Sequence, residues 1–263
     1  MEKTLKLFRT SDIFPPASQF ISDLSTACSS HGLNHIVDVN PTSTFFSGDD
    51  PSRIIPKVKH SKPYRDLRLV IHGSAGGEVH HLFKYLVRKD QDLRGTHVDL
   101  EVLTQENPKA SSSSSILLIP LFLLPGKHVL NDIPKIFRRL SSQGIDTQLV
   151  PFLGSWPYWI STLKYFVNLK SHNEKSILLH HPINSGEAGN SYLKNLNRIL
   201  EIPIISWTQW HRFSDNSDQT YTPIPFSLAP NKNTKGLRKS DSISSLLEVD
   251  LFMFNLIKIL SII

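Results

Sequence analysis

The chain has one cysteine, Cys28, in 263 residues. A lone thiol excludes an internal disulfide, a cysteine-based zinc site and a cysteine-ligated iron–sulfur cluster. Any metal must then be held by histidine or carboxylate, and a reducing compartment is expected. Long apolar runs are missing too. The most apolar end, residues 251–263, contains Asn255 and Lys258 and is too short to span a bilayer, so it reads as a packed helix and no membrane partner is expected. The first residues include Glu2, Asp12 and Asp23 and show neither a secretory signal nor an Arg-rich, acid-poor transit peptide; the expected location is cytoplasmic. Lys and Arg number 29 against 23 Asp and Glu, but they form no dense run and no aromatic–basic motif of the RNA-binding kind. Nucleic acid is therefore not an expected partner, and the positive balance suits an anionic small molecule. No Gly-x-Ser-x-Gly elbow is present, which leaves a hydrolase built on Ser74 with little support.

What is present centres on residues 115–134. Ile116 to Leu124 is a nearly unbroken apolar run, as in a strand covered on both faces within a parallel sheet. Pro125-Gly126 ends it and presents Lys127 and His128, and Asn131 is a candidate N-cap for a helix reaching Leu140. Open α/β sheets bind ligands at the carboxyl ends of their strands, so His128 stands where chemistry is usually done. Earlier, Leu67 to Ile71 reads as a strand, 72–77 as a turn, and Glu78 to Val87 as a helix with Val79, Leu82, Phe83, Leu86 and Val87 on one face. Val98, Leu100 and Val102 alternate as a second strand. The link from Thr104 to Ile116 is short for a helical crossover. A strand over 148–153 and a helix over 156–168 complete an α/β pattern.

The chain then repeats itself. His181 lies 109 positions after His72 and Pro225 lies 105 after Pro120, each within a similar strand-and-turn stretch. Two anchors in the same order indicate an internal duplication. The expected fold is α/β: two related doubly wound domains with mainly parallel sheets, over 66–172 and 173–263, behind an N-terminal extension, 1–65, of unassigned role. Within that extension, 20–30 reads as a helix and 35–39 as a strand, and His31 and His35 as surface histidines. The first copy has histidines at both strand ends, His72 and His128. The second keeps His180 or His181 and has Asn233 opposite His128, so it reads as degenerate.

His72-Gly73-Ser74, Pro120-Leu121-Phe122-Leu123, Gly126, His128 and Asp132-Ile133-Pro134 together resemble the sirohydrochlorin chelatases, the small class II chelatases that insert cobalt or ferrous iron into sirohydrochlorin. The resemblance covers about residues 66–172 well and the second copy weakly, as in tandem members that pair an active half with a decayed one. It implies a divalent metal and a polycarboxylate tetrapyrrole as substrates, with no permanently bound cofactor. Many members carry a carboxylate at the end of the second strand, where this chain has Thr104, with Glu101 and Glu106 nearby.

Metallation requires a metal brought to one face of the ring and two pyrrolic protons removed. Imidazole ligates Co²⁺ and Fe²⁺ and accepts protons near neutral pH, so His72 and His128 are the expected metal ligands and general bases. Lys127, Lys135, Arg138 and Arg139 are the expected contacts for substrate carboxylates, and the backbone N–H groups from Gly73 and Ser74 to Gly77, at a helix start, are expected to hold another. Leu124, Pro125 and Trp156 are expected to line an apolar cleft between the halves. Against these stand plainer readings: a solvated helix face for Lys135, Arg138 and Arg139, core for Trp156 and Trp159, partial exposure beside the helix's apolar face for His80 and His81, and surface for His97. His180 and His181 read as relics or a secondary metal contact. The competing function is a carrier of metal or tetrapyrrole that uses the same two histidines without turnover.

Overall fold

The computed structural model describes residues 65–74, 77–105, 112–170, 175–183, 186–216, 221–231, 245–261 and 263. The expected elements at 20–30 and 35–39, His31, His35 and Asn233 lie outside them. In the first half, strand β1 (Asp66–Ile71) leads to helix α1 (His81–Arg94) and strand β2 (Val98–Val102). Strand β3 (Ser115–Pro120), a π-helical turn (His128–Asp132), helix α2 (Ile133–Ser142), strand β4 (Asp146–Leu149), a 3₁₀ turn (Leu153–Ser155) and helix α3 (Pro157–Lys170) follow. The second half has strand β5 (Lys175–His180), helix α4 (Gly186–Leu200), strand β6 (Ile204–Ser206), helix α5 (Trp207–Asn216) and strand β7 (Tyr221–Pro225). A 3₁₀ turn (Leu246–Glu248) and helix α6 (Asp250–Leu260) complete it.

Both sheets are wholly parallel, in the orders β2-β1-β3-β4 and β6-β5-β7. Strand parity explains how the first is covered. Leu67, Leu69, Ile71, Leu117 and Ile119 pack with Phe83 and Leu86 of α1, whereas Val70, Ile116 and Leu118 pack with Ile133, Ile136, Phe137 and Leu140 of α2. The helices that follow β1 and β3 therefore lie on opposite faces. This makes the gap between the ends of β1 and β3 a topological switch point, the crevice in which such sheets bind ligands.

The two halves share a hydrogen-bonding pattern. Val70 is in register with Pro120 and Leu179 with Pro225, and the next residue donates back in each half: Leu121 N to Val70 O at 2.8 Å, Phe226 N to Leu179 O at 2.7 Å. His181 is thus the positional equivalent of His72. The halves are not packed separately. One apolar core runs from Leu69 and Ile119 through Trp159 and Phe252 to Leu178 and Ile224, with α3 against β5 and α4, and α6 against α1. Each half lends its last helix to the other.

Several boundaries differ from expectation for local reasons. Helix α1 starts at His81, because the His80 ring accepts the Leu82 N–H, and it ends at Gly95, whose φ of 66° supports a left-handed cap. Strand β4 occupies 146–149 rather than 148–153. No helix among the described residues between β2 and β3 fills the short crossover. No helix among them is long and apolar enough to cross a membrane.

Candidate functional site

His72 follows β1 and His128 follows the loop after β3, on either side of the switch point. Their rings meet edge to face with centroids 4.6 Å apart. His72 Nδ1 lies 2.8 Å from Gly73 O; a carbonyl can only accept, so Nδ1 carries the proton and Nε2 keeps its lone pair. His128 Nδ1 lies 2.8 Å from Asp132 Oδ2, and a carboxylate partner fixes the same tautomer. Both imidazoles thus present an Nε2 lone pair. His72 is exposed and the His128 side chain is 43% exposed, so incoming groups can reach them.

Local sequence explains this placement. Gly73 has φ +82°, and a Cβ there would sit 2.2 Å from Val102 Cγ1 and 2.6 Å from Thr104 Oγ1, so the residue after His72 must be glycine for the turn to pack on β2. Thr104 donates its hydroxyl to Ser74 O at 2.7 Å. Thr104, at the strand-end position, thus ties down the His72 turn. His128 opens the π-helical turn, in which Ile133 N bonds His128 O; such turns recur at functional sites. The turn replaces the expected Asn131 cap. It also places Asp132 against the His128 ring. The His-x-x-x-Asp spacing was the available signal. Phe122 stacks on the other side of His128, centroids 6.0 Å apart.

The remaining predicted residues separate. Lys127 and Arg138 are exposed, and Arg138 Nε donates to Pro134 O of its own helix. Lys135 Nζ lies 3.4 Å from Asp132 Oδ1. Arg139 is turned away: its guanidinium bonds both Glu101 oxygens at 2.6 and 2.7 Å, and Glu101 is also held by buried Arg68. A buried carboxylate demands such partners. Strand parity therefore takes Glu101 out of the cleft and takes Arg139 with it, which corrects the expectation for that cation. In the Gly73–Ser74 turn, Ser74 N already donates to Glu78 O and Gly77 N to Ser74 O, and helix α1 begins only at His81. The expected anion-binding N–H groups of Ser74 and Gly77 are engaged within the turn, and Gly73 serves its packing. Trp156 is buried and donates Nε1–H to Pro151 O, so it is core rather than cleft lining.

The second half faces this site. Ile183 Cγ2 would stand 3.9 Å from a Cβ on Gly126, so the loop after β5 meets the loop after β3. His181 is pushed below the ordinary imidazole range by burial, then by the charges of His180 and His72. It therefore lies within electrostatic reach of His72, and Asn231 Nδ2 is 3.1 Å from its Nε2. His180 is lowered as well, chiefly by burial, and its Nδ1 bonds His181 O. Among the described residues, no group of three or more His, Cys, Asp or Glu side chains is placed to enclose a metal ion.

Asp132→Asn is expected to lower any activity that uses the His128 lone pair by about 10- to 100-fold, because the amide no longer holds the imidazole in one tautomer. Histidine-ring NMR reads the lost tautomer directly, apart from any activity.

Residues 67–168 match the model of the CbiX family. This bears out the resemblance read from the motifs. Among solved structures, the fold is similar to the sirohydrochlorin chelatase SirB from Bacillus subtilis subspecies spizizenii, solved in complex with cobalt. The TM-score is 0.53 at 14% identity, over 73% of this chain and 92% of that one. It is similar also to CbiX, the terminal enzyme for siroheme biosynthesis in denitrifying bacteria, with a TM-score of 0.52 at 12% identity, over 74% of this chain and 97% of that one. No curated protein matches the chain in sequence.

Proposed function

We propose that this chain is a sirohydrochlorin chelatase, a lyase that inserts Co²⁺ or Fe²⁺ into the tetrapyrrole in cobalamin or siroheme biosynthesis, acting in the cytoplasm. The observation that carries the reading is the His72–His128 pair, two imidazoles 4.6 Å apart at a switch point, each with Nδ1 committed and Nε2 open. The family match over 67–168 supports it.

The stoichiometry suits the chemistry. Metallation exchanges one divalent ion for two pyrrolic protons. Two imidazoles ligate the ion through Nε2 and leave its other positions for water and ring nitrogens, which favours transfer over trapping. As each metal–imidazole bond breaks, the freed Nε2 accepts one proton, so two histidines account for two protons. A histidine cannot ligate and accept a proton through the same lone pair at once, so transfer must precede deprotonation at each. Lys127 and Arg138 remain as exposed cations for the substrate's carboxylates.

A carrier of metal or tetrapyrrole is the second reading. It is favoured by Thr104, which leaves the strand-end position without an acid/base group. Counting turnovers decides between them. With excess sirohydrochlorin and metal under anaerobic conditions, a chelatase releases many equivalents of metallated product per chain; a carrier stops at about one.

A further inference from the structure

We infer that Tyr192 is a positioning residue through which the second half sets the loop carrying His128. Tyr192 belongs to α4, yet its hydroxyl lies 3.0 Å from Leu123 O and 2.8 Å from Gly154 O, both in the first half. The ring is 3% exposed and packs near Phe152. A phenol is buried this completely only when its hydroxyl is bonded, and buried carbonyls need donors in turn. The hydroxyl proton is shared between two carbonyls that have come together from separate loops.

Those loops lead to the site. Leu121 N is fixed to Val70 O, and Gly154 N donates to Phe122 O at 2.8 Å. Gly154 approaches so closely that a Cβ on it would overlap Leu123 O. Leu123 is thus clasped by Gly154 and Tyr192 together, while Phe122 stacks on the His128 ring. The second half, with its site residues degenerate, retains this function as scaffold for the first.

The kinetic part of the test rests on the chelatase reading; the spectroscopic part does not. Histidine-ring ¹H–¹⁵N spectra of the full chain are recorded without metal or pigment, the His128 signals being assigned by their loss in His128→Ala. Tyr192→Phe is expected to shift the His128 ring signals. Tyr158→Phe, which removes another hydroxyl contact between the halves, half-buried, to Asn255 Oδ1 at 2.9 Å, is expected to leave them in place. Recording all samples in trimethylamine N-oxide keeps a weakened variant folded. With sirohydrochlorin and Co²⁺, Tyr192→Phe is expected to lower kcat about tenfold with KM unchanged within about twofold, since positioning rather than binding is lost. Unmoved His128 signals in folded Tyr192→Phe, or equal shifts in both variants, would overturn the inference. A wild type without metallation activity removes the kinetic readout and the chelatase reading, and the spectra then decide the positioning role alone.

Discussion

Gly154→Ala is expected to unfold the chain or to destabilise it by at least about 4 kcal/mol, at the severe end of single substitutions. The new Cβ would stand 2.0 Å from Leu123 O, 2.5 Å from Leu123 C and 2.8 Å from Leu123 Cα. These are backbone atoms, so no rotamer change relieves the overlap. The loop cannot simply retreat, because Gly154 N holds Phe122 O and Tyr192 holds Leu123 O. Gly126→Ala, in the loop after β3 that carries Leu123, meets only Ile183 Cγ2 at 3.9 Å and is expected to stay within about 0.5 kcal/mol of wild type. Denaturant melts followed by circular dichroism compare the two; equal stabilities would refute the clasp.

Asp90→Asn is expected to stabilise the protein at pH 8 by about 2 to 4 kcal/mol and to change little at pH 4. Asp90 lies on the inward face of α1 with no exposed surface, and among the described residues neither carboxylate oxygen has a hydrogen-bond partner. Arg94 lies one turn on, but its guanidinium bonds Leu260 O, Arg65 O and Thr96 Oγ1. Burial pushes the Asp90 carboxyl up to about 7, only partly opposed by the Arg94 charge. The sign follows from where the protons sit. Between about pH 4 and 7 the folded chain keeps the proton that the unfolded chain has lost, so stability falls as pH rises through this window and levels off above it. The amide cannot ionise and escapes that loss, although its own buried polar atoms offset part of the gain. Thermal melts of both proteins at pH 4, 6 and 8 check this. A gap that does not widen with pH would mean that Asp90 is not the titrating group.

The parts of this molecule that could be read from sequence are those set by local chemistry. β1 and β3 declared themselves as apolar runs because both faces of each are covered, one by α1 and the other by α2. The placement of His72 and His128 at the ends of those strands could be read too, as could the matching strand register of the two halves. What escaped depends on partners distant in the chain. The apolar stripe of α3 says that the helix is buried, but not that it is buried against β5 and α4 of the other half. Arg139 reads as a cation on a helix near the site; only the parity of β2 and the presence of Arg68 reveal that Glu101 claims it. The pairing of His128 with Asp132 was hidden by a π-helical turn where an ordinary cap was expected. Tyr192 carried no signal, since a tyrosine in an amphipathic helix does not announce which carbonyls it will meet.

The claim on which the account turns is that His72 and His128 act together on the metal. Its most direct test is the anaerobic spectral assay of metallation, with sirohydrochlorin and Co²⁺ or Fe²⁺, of wild type beside His72→Ala and His128→Ala. Repeated turnover by the wild type is expected, with a loss of about 10²-fold or more in each variant, in proportion to the removal of an acid–base group. Wild-type metallation no faster than metal and pigment alone, or variants as fast as wild type, would contradict it.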